Sequence, residues 1–590
     1  MQDLFSFYQN QIEEHATSLS AIRKQLAGSS TLRLLVFIST IFFVYLFFEN
    51  TKLVLGIAVI GIAIFLYLVS RHTDLQYKRD KLRALKNINE IEIQVLHRDF
   101  HALAEGNEFM SPLHHFSQDI DLFGTGSFYQ YSNRTALKQG SAALAHLFTE
   151  NAITDIVQKQ EAIKVLSQMP KWRQDFSAVA SLVKTQTTTA TIQKWLENYS
   201  PFVPPIMKYL PLVFSIVSGV SFILYFLGII HGMVLLVLMI LGFVISGFFM
   251  KKITKLGNAS TKMQSTFEQY NRLLQLIEET DFKSELLSEK KQQIIKEGKK
   301  TSSILKDFSR LLGNLDQNKN VFYLIFGNGY FLRGLVTSYQ IEQWITNHGH
   351  SAKIWFDVIA FFDAYISLGT FAFNHPAYTF PDLSDSDIVM HSKAAGHPLL
   401  NPEKSVLNDF QIDSEQFFII TGANMAGKST FLRTVSLQIV MANLGLPVCA
   451  RGVVYNPIKL ITSMRTTDSL ADEESYFFSE LKRLKFIVDE IQTDRYFIVL
   501  DEILKGTNST DKAKGSRKFV EKLVASKSTG IIATHDLSLC EVAKELPQIE
   551  NHYFDAEIID DELHFDYKFK EGICQNMNAS FLLKKMQIVE

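Results

Sequence analysis

Gly422, Ala423, Asn424, Met425, Ala426, Gly427, Lys428 and Ser429, followed by Thr430, fit the pattern G-x-x-x-x-G-K-[ST]. That spacing suits a loop that holds a phosphate chain. The glycines let backbone N–H groups turn inward, and a following helix adds the partial positive charge of its N-terminus. Lys428 would reach the β- and γ-phosphate oxygens, and the Ser429 hydroxyl would hold Mg²⁺. The flanks agree, since Phe417–Ile420 reads as a buried strand and Phe431–Met441 as a helix. The expectation is a nucleoside triphosphate site, with ATP and Mg²⁺ as its ligands.

A second group of residues completes that chemistry. Tyr496–Leu500 is an apolar strand ending in Asp501 and Glu502. An Asp at such a strand end orients Mg²⁺, and the adjacent Glu is placed to polarise an attacking water as general base. Gly530–Thr534 is another apolar strand and ends in His535, placed to contact the terminal phosphate. Each piece alone is common in α/β proteins; their order and spacing together carry the reading.

These residues resemble the ATPase domain of the MutS family, within the ABC-type ATPases. The marks are Thr421–Thr430, with Asn424-Met425 inside the loop, then Asp501–Thr510, with Gly506-Thr507-Asn508-Ser509 after the acidic pair, then Ala533–Asp536. Asp468–Phe478 is similar to the family's signature segment, which enters the partner subunit's nucleotide site. The resemblance therefore implies that Ser475 acts in trans and that the protein is a homodimer. Glu473 and Glu474 stand where the family usually has Gly-Arg or similar before that serine, and Leu504-Lys505 replaces a Gly-Arg after the acidic pair. Upstream, Gly396–Leu400 is similar to the motif that opens the family's ATPase domain. Asp119–Ser127, Asn133–Thr135, Gly140 and Gln158–Ile163 resemble the start of its helical core. DNA binding and a role in mismatch repair follow from the resemblance alone.

The elements around this site are unusual in composition. The chain has 590 residues, 47 of them Phe, and is 47% hydrophobic, enough for several domains. The apolar surplus is concentrated. Leu34–Phe48 and Leu53–Ser70 carry no charge, and Tyr209–Met250 contains no Lys, Arg, Asp or Glu and a single imidazole, His231. A bilayer core of about 30 Å takes about 20 helical residues. These stretches thus read as two transmembrane hairpins, at about 32–48 with 53–70 and at about 209–229 with 232–250. A soluble helix normally keeps one polar face, and these have none. Arg23, Lys24 and Arg33 precede the first hairpin and Arg71, Lys78, Arg79, Lys81 and Arg83 follow it; Lys208 precedes the second and Lys251, Lys252 and Lys255 follow it. By the positive-inside rule both hairpins enter from the cytoplasm and return. The expected location is the inner (cytoplasmic) membrane, multi-pass, with the ATPase domain in the cytoplasm. Cys449, Cys540 and Cys574 are too few and too scattered for a disulfide or zinc framework.

The expected fold is α plus α/β. Residues 1–105 hold an N-terminal helix to about 27, the first hairpin and a basic helix near 71–105. Residues 106–384 form a MutS-like helical core and lever interrupted by the second hairpin, and 385–590 form a P-loop α/β ATPase domain. The second hairpin falls where the family places a DNA-clamping segment. Only about 100 residues precede the core, where the family's mismatch-reading domain would stand. Formal net charge is −2, and the basic runs at 78–83 and 290–300 read as a positive-inside flank and a solvated helix face, so no nucleic-acid surface is shown by the residues. Two functions remain open: an ATP-switched, membrane-tethered MutS-type protein acting on DNA, and a membrane ATPase that rearranges its own spans or a protein partner.

Overall fold

No proline precedes Pro112, and Asn50 is the first residue suited to cap a helix after a long apolar run. The computed structural model accordingly begins with two very long helices, α1 (Gln2–Leu46) and α2 (Thr51–Leu96), joined by a short turn. It describes residues 2–182, 188–296, 299–317, 320–321, 323–423, 425–465, 476–504, 509–559 and 562–575. Asn50 Oδ1 accepts the Leu53 N–H at 3.2 Å and starts α2. The breaks expected near 27 and 71 are not helix ends. A helix satisfies its own backbone whatever surrounds it, so a change from polar to apolar side chains need not interrupt it. α2 stops at Leu96, earlier than the expected 105, where Arg98 takes a positive φ of 66°.

The helical unit continues with short helices, among them α3 (Pro170–Ser181), then α4 (Leu210–Phe226) and α5 (Met233–Glu279). α5 has 47 residues, about 70 Å at 1.5 Å per residue. Its first turns are apolar and largely exposed, whereas Phe267, Tyr270, Leu273, Leu274 and Ile277 at its far end are buried in the core. A third apolar element packs on the α4–α5 pair. It is a widened helical turn over Tyr323–Asn328 leading into a single turn at Gly329–Phe331. Phe222 and Tyr330 meet edge to face with centroids 4.8 Å apart. A Cβ on Gly242 would lie 2.1 Å from the Gly329 carbonyl oxygen, so the contact requires glycine. The sequence pattern assigned only two apolar helices here; this third piece is too short to register as a span.

Among the described residues four helices are long and apolar enough to cross a membrane, by length and composition only: α1, α2, α5 and α6 (Ala352–Asn374). Of these, α6 has 83% of its apolar window buried, against 0%, 6% and 17% for the others. It is the central helix of the helical core. α4, at 17 residues, is shorter than the span expected at 209–229.

The C-terminal unit is built on a six-stranded sheet. Its strands are β1 (Phe417–Gly422), β2 (Lys459–Ser463), β3 (Tyr496–Asp501), β4 (Thr529–Ala533), β5 (Ile549–Phe554) and β6 (Lys570–Glu571), in the order β6-β5-β1-β4-β3-β2. All neighbours pair parallel except β5 with β6. The central strands are largely apolar and buried on both faces, as parallel strands covered by helices must be. α7 (Lys428–Asn443) follows β1, and α8 (Ser509–Ala525) precedes β4. A smaller four-stranded sheet, which includes Ile388–Ala395, lies alongside. One continuous apolar core runs from Val95 through α6 to Phe554 and joins the helical and sheet units, while the other face of the sheet has a core of its own around Ile419, Ile498 and Ile532.

Candidate active site

β1 delivers the chain into the glycine loop at a point with no room for a side chain. Gly422 has φ +148°, and a Cβ there would lie 2.5 Å from the Phe554 carbonyl oxygen. Gly427, at φ +110°, turns the chain into α7. Lys428 is the first residue of that helix and only 6% exposed. Its ammonium donates to the carbonyls of Gly422 at 2.6 Å and Ala423 at 3.1 Å. It makes no ion pair among the described residues, and burial pushes its pKa down. The next residue, Ser429, donates its hydroxyl to Asp501 Oδ2 at 2.8 Å.

The acidic pair and the histidine are brought in by sheet register. β4 pairs with β3 so that Ala533 stands opposite Asp501, and the Glu502 N–H donates to Ala533 O at 2.9 Å. Glu502 has φ +56°, a left-handed conformation uncommon for a residue with a Cβ. Its Oε1 lies 3.2 Å from His535 Nε2, which is also 3.4 Å from Lys428 Nζ. That ring nitrogen faces an acceptor on one side and a donor on the other, so the tautomer decides which bond forms. Burial first, then the neighbouring Lys428 charge, hold the imidazole below its ordinary pKa despite the two carboxylates.

Lys428, Ser429, Asp501, Glu502 and His535 line one polar cavity of about 420 Å³, with Ala423, Met425, Gly427 and Thr430 at its rim. Ala426 is fully buried and Gly422 lies beneath the loop. Asn424 and Ser475 lie outside the described residues, as does most of the 468–478 segment. Arg465, just before that segment, is held by Asp119 Oδ1 on its N–H at 2.8 Å and by Asp121 on its guanidinium at 2.6 Å. Asp121 also pairs with Arg433 of α7 at 2.9 Å. The Asp119–Asp121 stretch, noted in the sequence only as a mark of the helical core, thus ties that core to the loop helix.

A second cavity of about 430 Å³ adjoins the first and shares Gly427, Thr430 and Tyr567 with it. Leu400, Phe431 and Phe554 give it apolar walls, and His397 closes one side. Burial and Arg433 push His397 down to about 4, so it is neutral near pH 7. Sequence reasoning missed Tyr567 and the role of His397. Tyr567 lies far from the loop in sequence and carries no motif of its own; His397 was visible only as part of the domain-opening motif.

The residues fit the two groups that the loop implies. A hydroxyl and a carboxylate oxygen already in contact suit a small hard cation. A buried ammonium held by two loop carbonyls and close to one imidazole, at a helix N-terminus, suits a phosphate. The parallel strands end in this cleft, the usual place for a ligand in an open α/β sheet. Strand, glycine loop, helix and acidic strand end define the class: a mixed-sheet α/β domain with a polar cleft at the carboxyl ends of its strands.

Residues 418–587 match the family model described as MutS domain V. A DNA mismatch repair protein MSH4 of Arabidopsis thaliana is 31% identical over 216 residues, 35% of this chain and 27% of the relative. MutS protein homolog 4 of Homo sapiens is 29% identical over 212 residues, 34% of this chain and 22% of the relative. A DNA mismatch repair protein MutS of Thermotoga petrophila is 30% identical over 211 residues, 35% of this chain and 26% of the relative. The C-terminal region of the chain is thus similar to domain V of the MutS family. The chain spans about a quarter of the length of these curated relatives.

Proposed function

We propose that the protein is a membrane-anchored MutS-type ATPase that hydrolyses ATP to ADP and phosphate. The observation that carries this is the convergence of Lys428, the Ser429–Asp501 pair and the Glu502–His535 pair on one cleft. Mg²⁺, when bound, neutralises phosphate charge and fixes the orientation of the terminal group. Ser429 and Asp501 would hold it. Lys428, freed from its two loop carbonyls, would take the β- and γ-phosphate oxygens. The Glu502 carboxylate is the acceptor for a water proton, and neutral His535 holds that carboxylate in place. The polar cavity takes the triphosphate, and the adjoining apolar one takes the base against Tyr567.

α1, α2, α4 and α5 supply the anchor, as two hairpins entering from the cytoplasm. Leu34, Phe42, Leu55, Leu66, Ile223, Val237 and Phe248, spread over their apolar stretches, are all exposed, and soluble proteins rarely expose apolar patches of such extent. A homodimer would place Ser475 of one subunit at the cleft of the other. The far end of α5 is buried in the helical core, so a nucleotide-driven change there would reach the second hairpin directly. The relatives' names support a second reading, in which the cycle acts on DNA; their match covers about a third of this chain.

Phosphate release by the full chain in lipid nanodiscs tests the first claim. Turnover should require both ATP and Mg²⁺; its absence would overturn the assignment. Labels near Asn50 and His231 should react from outside the cytoplasm and labels near Gln160 and Asp511 should not. DNA binding that weakens steeply with salt would select the DNA reading; none at low salt would select action on the spans or a protein partner.

A further inference from the structure

Arg173 of α3 is 3% exposed, and its Nε has no hydrogen-bond partner. One terminal nitrogen donates to Thr370 Oγ1, the other reaches Ser167 O at 3.5 Å, and the guanidinium lies 5.2 Å from the centroid of Phe373. No carboxylate among the described residues comes within the 4.0 Å of an ion pair. Glu92, itself 2% exposed, is committed elsewhere. Its Oε1 accepts from Arg134 Nε at 2.6 Å, and its Oε2 accepts from Asn374 Nδ2 at 2.8 Å. Tyr8 donates to Asn374 Oδ1 at 2.6 Å, which completes the network without reaching Arg173. Two guanidinium groups and one carboxylate therefore share this enclosure, leaving one positive charge uncompensated. Such a charge is strongly unfavourable in a protein interior, and burial pushes the pKa of Arg173 down to about 10.

Beside it lies a cavity of about 250 Å³, well separated in the fold from the nucleotide cleft. Ala84, Ile88 and Ile91 of α2, with Leu103 and Ile366, give it apolar walls. Its polar groups are Arg173, the neutralised Arg134–Glu92 pair and a few amides and hydroxyls. Asn87, Ala104 and Ser181 are exposed and form its mouth.

We propose that this cavity is a binding site for a small organic anion, with a carboxylate on Arg173 and a short apolar body against Ile88, Ile91, Leu103 and Ile366. A single carboxylate matches the single uncompensated charge, and the guanidinium fork binds carboxylates bidentately. The walls offer nothing to a more highly charged ligand. The occupant sits where α2 leaves the first hairpin and enters the core, so it would stiffen that joint. None of this rests on the nucleotide site.

The test is calorimetric titration of the full chain in nanodiscs of neutral phosphatidylcholine. The probes are benzoate and hexanoate, with benzyl alcohol and hexanol as neutral counterparts. At least one acid should bind saturably, one per chain, at least tenfold more tightly than its alcohol. Arg173→Gln should weaken it at least tenfold. Ile91→Trp, which fills the cavity and leaves Arg173 in place, should abolish it; this variant carries the test if Arg173→Gln fails to fold. No saturable binding of either acid, equal binding of the alcohols, or unchanged affinity in a folded Ile91→Trp protein would each overturn the proposal.

Discussion

At the carboxyl ends of β1, β3 and β4, polar side chains face one another across distances of 2.8 to 3.4 Å. Along α1, α2 and the first turns of α5, apolar side chains are largely exposed, with at most 17% of each apolar stretch buried. The cleft draws its energetics from relative placement, so moving one atom group disables it. The hairpins draw theirs from area, which sums over many residues, so one residue matters little unless two backbones touch. Gly242 against Gly329 is such a place.

Lys428→Ala cuts the cleft at its most connected point. Nucleotide affinity, followed with a fluorescent ATP analogue, should fall by about two orders of magnitude or more, the scale of a lost buried charge–phosphate interaction. Unchanged affinity would make the cleft no more placement-dependent than the hairpins. Glu502→Gln leaves shape and size intact and removes only the proton acceptor. Bound ATP should persist while phosphate release slows by about 10²-fold or more; a parental rate would take Glu502 out of the chemistry.

The hairpins are tested by two glycines on one helix. Gly242→Leu forces a side chain into the Gly329 carbonyl and should lower stability by roughly 1–3 kcal/mol, as overpacking does. Gly247 has nothing within 4 Å of a built Cβ, and Gly247→Leu should stay within about 0.5 kcal/mol. Thermal unfolding in detergent compares them; equal shifts would mean that the third apolar element is not seated on α5. The smallest effect is in pH. An unperturbed histidine is half protonated at about pH 6.5, whereas His535 is held lower and is mostly neutral there. Between about pH 8 and about pH 6.5 the turnover rate should change by less than about twofold, with the loss coming at lower pH. A loss of about twofold or more by pH 6.5 would show His535 charging at or above its ordinary value.

The cleft was readable in advance because its geometry is encoded locally. Gly422 and Gly427 set the loop, and the strand ends at Asp501 and Ala533 place the other groups by parallel register. Tyr567 was not readable, since only the sheet brings it over the loop. The 323–331 element escaped notice for a different reason: hydropathy marks long runs, and this one is short and interrupted by Gly327, Asn328 and Gly329. Helix limits near 27 and 71 were misplaced because a polarity boundary is not a backbone boundary, and the end expected near 105 comes at Leu96, just before the positive φ of Arg98. Arg173 was one arginine among many until α3, α6 and α2 enclosed it.

The unbroken run of α2 has a mechanical consequence. Its 46 residues make a rod of about 69 Å, and a tilt of about 5° around its middle shifts each end by about 3 Å. Two residues beyond its end, Arg98 grips the Pro398 carbonyl at 2.5 Å, next to His397 in the wall of the apolar cavity. A small rocking of the first hairpin would therefore arrive at Arg98, only two residues past the helix, as a displacement about as large as a hydrogen bond is long.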